Sequence, residues 1–248
     1  MRFSIFLLVL LCSCSSSDTN SLSEKDDSNA VQVNNIDTIP TVAELQISSD
    51  STSIVNYDYD TTKWTELKLK DGSIILDLRY ATDNNFVEEQ MYDCGRCFLR
   101  PEAAEAVLKL HADLKKKGKQ LKFFDCYRPR PIQWKLWNKI PDPRYVSDPR
   151  KGSMHNRGLA VDLTIADANG NELDMGTDFD FFGKEAYHEY TQLSDTILAN
   201  RKLLKESMEA YGFKPIRTEW WHYSFQAKMY PVSDMVWECH NEKNPPKD

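Results

Sequence analysis

The sequence predicts an α+β fold, a mostly antiparallel sheet flanked by helices. Three observations carry this. Strand-like and helix-like segments are mixed without a regular strand–helix–strand repeat. Glycines stand just past the two clearest helical segments, where a helix stop is expected. No internal repeat and no Gly-rich phosphate loop interrupts the order.

The chain has 248 residues, 41% hydrophobic and 28% charged, enough for a real core and typical of a soluble globular protein. Its formal charge of −7 argues against a nucleic-acid binder, which needs a basic stripe to neutralise phosphates. The acidity is local. Between positions 15 and 62, Asp18, Glu24, Asp26, Asp27, Asp37, Glu44, Asp50, Asp58 and Asp60 face only Lys25, which leaves the remainder near neutrality.

The chain opens Met1-Arg2-Phe3 and continues with apolar Ile5 to Leu11, a basic start and a short apolar run shaped like a secretory signal. Leu11-Cys12-Ser13-Cys14 resembles a bacterial lipobox, with small Ser13 before the acylated Cys14. Residues 1–13 are therefore expected to be a lipoprotein signal peptide. Lipid on Cys14 would anchor an exported protein to a membrane surface without a spanning helix. Residues 14–62, rich in Ser, Asp and Asn, bury too little apolar surface to offset ordering and read as a flexible acidic tether. Residues 63–248 are the expected folded domain.

Within it, Ser73–Tyr80 reads as a strand and Asp83-Asn84-Asn85 as a loop. Pro101 opens a helix to about Lys117 with Ala103, Val107, Leu110 and Leu114 on one face, ended by Gly118. Leu121–Tyr127 reads as a strand, and Gln133–Lys139 as a short helix. In Leu159–Ile165 strict alternation puts Leu159, Val161, Leu163 and Ile165 on one face and Ala160, Asp162 and Thr164 on the other. A helix over Asp195–Tyr211, with Ile197, Leu204, Met208 and Tyr211 inward, stops at Gly212. Thr218–Phe225 is the last strand.

With Cys12 cleaved off and Cys14 acylated, Cys94, Cys97, Cys126 and Cys239 remain. No thioredoxin-like unit and no second CxxC surround Cys94 and Cys97, so a local disulfide or free thiols is expected there.

Two segments carry chemistry. In Ser153-Met154-His155-Asn156-Arg157-Gly158-Leu159-Ala160-Val161-Asp162, a loop histidine leads into a strand with a carboxylate on its polar face. The other is Glu219-Trp220-Trp221-His222-Tyr223. Two imidazoles and a carboxylate make a common catalytic zinc set that leaves a fourth position for water, and a separate carboxylate must then move that water's proton. Glu219 is the candidate. On a flat strand, residues three apart point to opposite faces, so Glu219 and His222 converge only if the strand is irregular between them. Such an irregularity is predicted here. His111, His188 and His240 lack a motif and read as structural or exposed.

Together, SxHxxGxAxD and ExWH resemble the zinc D,D-peptidase superfamily, which includes bacterial D,D-carboxypeptidases and the Hedgehog signalling domain. Leu76-Asp77-Leu78-Arg79-Tyr80-Ala81-Thr82, Tyr127-Arg128-Pro129, Met175-Gly176-Thr177-Asp178-Phe179-Asp180 and the doubled Trp220-Trp221 resemble its D-alanyl-D-alanine dipeptidases of the vancomycin-resistance type. The resemblance implies a Hedgehog/D,D-peptidase-like single domain. It implies that His155, Asp162 and His222 bind one zinc ion per chain and that Glu219 is general base and acid. It further implies that Arg128 stabilises the oxyanion, that Asp180 holds the substrate's ammonium, and that Ser153 supports the substrate. The implied reaction is hydrolysis of D-Ala-D-Ala in cell-wall turnover. A D,D-carboxypeptidase acting on longer muropeptides and a non-enzymatic wall-binding lipoprotein are the alternatives.

Overall fold

Helix α1 (Pro101–Lys115) starts with proline at its first turn, where the missing amide hydrogen costs nothing, and ends before Gly118 at φ 66°. Its buried face is Ala103, Ala104, Val107, Leu110, His111 and Leu114. It packs on β4 (Lys119–Asp125), the strand that follows at once in the chain. Helix α2 (Arg130–Lys139) comes next, then β5 (Ala160–Asp167). Helix α3 (Asp195–Ala210) is capped by the Ser194 hydroxyl accepting from the Ile197 amide, and β6 (Phe213–Ile216) and β7 (Glu219–Phe225) complete the order. Short strands β1 (Thr65–Glu66), β2 (Ile75–Leu76) and β3 (Phe98–Leu99) precede α1. This computed structural model describes residues 63–69 and 72–239, which lie within a single compact unit. The signal peptide, Cys14, the tether and His240 lie outside the described residues, and no helix among those described is long and apolar enough to cross a membrane.

The principal sheet has the order β2-β4-β5-β7-β6; every pairing is antiparallel except β2 against β4. A two-stranded sheet pairs β1 with β3. The α+β expectation holds. In β5, residues 160–166 are buried on both faces, since the strand is central and both sides are covered. Its alternation therefore separates an apolar face from one carrying Asp162 and Thr164, both buried.

Three sequence expectations need correction. Ser73–Tyr80 is not one strand: pairing ends near Asp77, whose amide donates to the Phe123 carbonyl, and Arg79–Ala81 form a 3-10 turn. That turn sets Tyr80 on the cavity wall. On α3, Ile197 and Tyr211 are only half-buried, and the core position between them is taken by Arg201. Its guanidinium donates to the carbonyls of Met175 (2.7 Å) and Tyr187 (3.3 Å), which is why an arginine is tolerated inside. Finally, Cys94 and Cys97 do not bond each other. Cys97, fully buried beside β3, bonds Cys126 at the end of β4, and half-buried Cys94 bonds Cys239 near the C-terminus. The second bond fastens a segment whose Trp237 packs on Tyr92 and Phe98, and whose Ser233 and Met235 carbonyls accept from the Tyr127 hydroxyl.

Candidate active site

Register assembles the site. Asp162 on β5 pairs with Asp125 on β4 and with His222 on β7, so three functional side chains come from one level of three adjacent strands. His155 enters from the 3-10 turn His155–Arg157 just before β5. That turn ends at Gly158 with φ 71°, where a Cβ would come within 2.3 Å of the Trp64 ring; only glycine fits.

The predicted irregularity is present in β7. Pairing with β6 steps from Pro215 opposite Tyr223 to Ile216 opposite Glu219, and pairing with β5 ends at His222. The shift lets Glu219 Oε2 come within 3.9 Å of His222 Nδ1.

Three side chains converge. His155 Nε2 lies 3.1 Å from His222 Nδ1 and 3.2 Å from Asp162 Oδ2, and His222 Nδ1 lies 3.0 Å from Asp162 Oδ1. The outer ring nitrogens set the tautomers. His155 Nδ1 donates to the Cys126 carbonyl at 2.7 Å, which can only accept, so Nε2 presents a lone pair. His222 Nε2 lies 3.1 Å from the Ser224 hydroxyl; donation there leaves Nδ1 a lone pair too. Two imidazole lone pairs and a carboxylate then face one point, an arrangement that repels itself unless a cation sits there. Zinc with nitrogen and oxygen bonds of about 2.0–2.2 Å at tetrahedral angles separates such atoms by roughly 3.3–3.5 Å. The residues fit the ion, and their second nitrogens are tied as metal-bound imidazoles usually are.

Around this triad stand the other expected residues. Arg128 is buried, with Nε (2.9 Å) and Nη2 (2.7 Å) donating to Asp125 Oδ2 and Nη1 donating to Gln133. Burial opposes its charge most strongly, but Asp125, with Tyr80, Tyr92 and Asp162, together outweighs this and holds the guanidinium protonated. Its Nη2 lies 4.0 Å from Asp162 Oδ2. Burial pushes the Glu219 carboxyl above the ordinary carboxylate range, against the pull of His222. Asp180 adopts φ 58°, a left-handed conformation uncommon outside glycine, and accepts from the Tyr80 hydroxyl at 2.7 Å. Desolvation, then the Asp162 charge, raise its carboxyl well above normal. An arriving cation would relieve both. Arg128, Glu219, Asp180 and Ser153, with Tyr80 and the triad, line one cavity of about 360 Å³. Trp220 and Trp221 are core residues, Trp220 donating to the Thr177 hydroxyl at 2.8 Å.

Sequence reasoning missed four residues here. Tyr80 was visible within its motif but unassigned a role. Asp125, three residues before Arg128, and Ser224, two after His222, are seen only once the strands are paired. Asn156, fully buried between Ser153 and Arg128, sits inside the recognised motif at an unspecified position.

A buried His–Asp–His triad, with an acid and a guanidinium at its edge on a mixed sheet, defines a metallopeptidase. The chain belongs to the family described as D-ala-D-ala dipeptidase, whose model matches residues 66–241. It is 36% identical over 181 residues to a D-alanyl-D-alanine dipeptidase of Escherichia coli (strain K12), covering 73% of this chain and 94% of that protein. A D-alanyl-D-alanine dipeptidase of Enterococcus faecium is 33% identical over 178 residues, covering 63% and 88%. The solved structure of VanYB in complex with D-alanine-D-alanine overlaps 69% of this chain and 80% of its own, with 15% identity and a TM-score of 0.38.

Proposed function

We propose that this enzyme is a zinc-dependent dipeptidase that hydrolyses D-Ala-D-Ala to free D-alanine, with one zinc per chain. The observation that carries the reading is the convergence of His155 Nε2 and His222 Nδ1, 3.1 Å apart, on the Asp162 carboxylate, whose two oxygens lie 3.2 Å and 3.0 Å from them, beside Glu219 and Arg128. His155 Nε2, Asp162 and His222 Nδ1 would hold the zinc, which would supply Lewis acidity toward a peptide carbonyl and lower the pKa of water toward neutrality. Glu219 takes the proton of the attacking water and gives it to the leaving amine, tasks that its raised pKa suits. Arg128, rigidly held by Asp125, stabilises the negative charge developing on the carbonyl oxygen. Asp180 binds the free ammonium at the far end, with Tyr80 fixing the carboxylate and Ser153 supporting the substrate.

The signal-like start, the lipobox-like Cys14 and two disulfides support an exported, membrane-anchored enzyme on the envelope face, acting on released wall material in turnover or recycling. The test is D-alanine release from D-Ala-D-Ala with and without a chelator, followed by zinc readdition, alongside the N-acetylated dipeptide. Zinc-restored turnover of the free dipeptide and rejection of the blocked amine are expected. Turnover that persists after zinc is stripped overturns the reading.

A further inference from the structure

A second cavity, of about 400 Å³, adjoins the reactive one beside Glu219. The two share Tyr145, Phe182 and Glu219 as lining. The partition is aromatic. Tyr145 and Phe182 pack with ring centroids 4.7 Å apart, and Phe86 meets Phe182 edge-on at 5.0 Å. The three rings come from separate loops: before β3, after α2 and just beyond Asp180.

The partition is also unusually wet for its chemistry. Tyr145 is 41% exposed and Phe182 42%, and exposed Phe181 and Ile216 line one or the other cavity. Scattered exposed apolar residues are ordinary, but several gathered at one mouth mark a surface that meets a ligand. Asp180 gives the direction. It lines the reactive cavity and not the second one, and it precedes Phe182 by two residues. A peptide whose ammonium sits on Asp180 therefore ends at the partition, and a longer amino end has to pass Phe182. Beyond it, the lining includes Arg144 and Arg217, each paired with its own acid, Asp142 and Glu189. An extension carrying an ammonium would be set beside two guanidinium groups whose acids are already taken, whereas a neutral one brings no charge to be repelled.

We propose that Phe182 and Tyr145 form the chain-length wall of the substrate site, and that the cavity behind them is room for an uncharged amino-terminal extension once the wall is cut back. This rests on the dipeptidase reading. A misfit of one methylene in an apolar pocket already changes discrimination by about 10- to 200-fold, which sets the scale for removing a ring from the path.

The test compares kcat/KM for D-Ala-D-Ala and for N-acetyl-Gly-D-Ala-D-Ala in zinc-loaded wild type, Phe182→Ala, Tyr145→Ala and the double variant. Mass spectrometry of the N-acetyl-Gly-D-Ala product identifies the bond cut. Asp180 faces a neutral amide with the longer probe in every variant, so its contribution cancels between them. The ratio of long to short substrate is expected to rise about tenfold in each single variant, and further in the double. A ratio unchanged across all four proteins, with the dipeptide still cleaved, overturns the wall and leaves the dipeptidase reading standing. A wild type that cleaves both peptides equally also overturns it. Failure of the zinc-loaded wild type to cleave D-Ala-D-Ala overturns the reading beneath, and the wall with it.

Discussion

The side-chain amide of Asn156 donates to the backbone carbonyl of Arg128 at 2.7 Å. Its oxygen accepts from the Ser153 amide (2.8 Å) and hydroxyl (3.1 Å). The Asn156 backbone carbonyl accepts from the Ser233 amide, and the next residue back is His155. One fully buried side chain thus ties the guanidinium loop to the turn carrying His155, a proposed zinc ligand. Asn156→Ala leaves the buried Arg128 carbonyl and the half-buried Ser153 amide without that partner, so a stability loss of about 1–3 kcal/mol is expected in urea denaturation. Because Asn156 positions groups rather than touching substrate, kcat should fall more than KM rises. Asn156→Asp should behave like the alanine variant in kcat, since a carboxylate cannot donate to the Arg128 carbonyl. Full activity in Asn156→Asp would show that this donation does not matter.

Glu219 and the triad are separable by experiment. Glu219 lies 3.9 Å from His222 but outside the group of three converging donors. Glu219→Gln should lower kcat by about 10²–10⁴-fold, the usual weight of general acid–base catalysis, while zinc content measured by plasma emission stays near one per chain. His222→Ala should lose both zinc and turnover. Chelation of the wild type should also lower its melting temperature, because the three convergent lone pairs lose the cation that binds only the folded arrangement. A Glu219→Gln protein that no longer holds zinc would make this residue a ligand instead.

Strands β4, β5 and β7, both long helices and the site's two motifs are legible because each rests on local pattern, whereas the edge strand β6 and the short β1 and β3 carry too few residues to show one. Alternation in β5 placed Asp162 on a face opposite Leu163, and capping signals bounded α1 and α3. The need for Glu219 and His222 to meet predicts the break in β7 without reference to any strand partner. What stayed hidden depends on pairing at long range. Asp125 becomes a site residue only because β4 registers it against Asp162. Cys94 finds Cys239 across 145 residues, and nothing near either cysteine signals that choice. Arg201 reads as a break in the apolar face of α3 until the Met175 and Tyr187 carbonyls are seen to receive it.

The two disulfides should answer differently to reduction. Cys97–Cys126 is buried, and the Cys126 carbonyl accepts from His155, so this bond braces a proposed zinc ligand. Cys94–Cys239 is half-buried and closes a long stretch of chain. Under mild dithiothreitol, thiol labelling read by mass spectrometry should find Cys94 and Cys239 first. Replacing that pair by serine should cost about 2–5 kcal/mol of stability. Replacing Cys97 and Cys126 by alanine should in addition weaken zinc binding, about 10- to 100-fold in chelator competition, as loss of support behind a ligand does. Equal zinc affinity in both double variants would argue that the Cys126 carbonyl is held without its disulfide.

His188 provides a pH dependence outside the metal site. Its ring packs near Tyr223, its Nε2 is buried without a hydrogen-bond partner, and its amide donates to the Arg217 carbonyl. Burial, reinforced by Lys205 and Arg201, lowers its pKa from the ordinary 6.5 to about 4. Between those values the unfolded chain takes up a proton that the native ring refuses, so stability must rise with pH across that window. The contribution is complete above about pH 6.5 and is lost as pH falls toward 4. Urea midpoints measured at pH 7, 6, 5 and 4.5 should therefore decline, and His188→Gln, which cannot titrate, should decline less over the same range. Carboxylates elsewhere titrate in both proteins, so the difference between the two curves isolates the imidazole. If the curves run parallel, the ring is protonated in the native state at pH 5, and the Glu219 backbone beside it would have to supply the compensating acceptor.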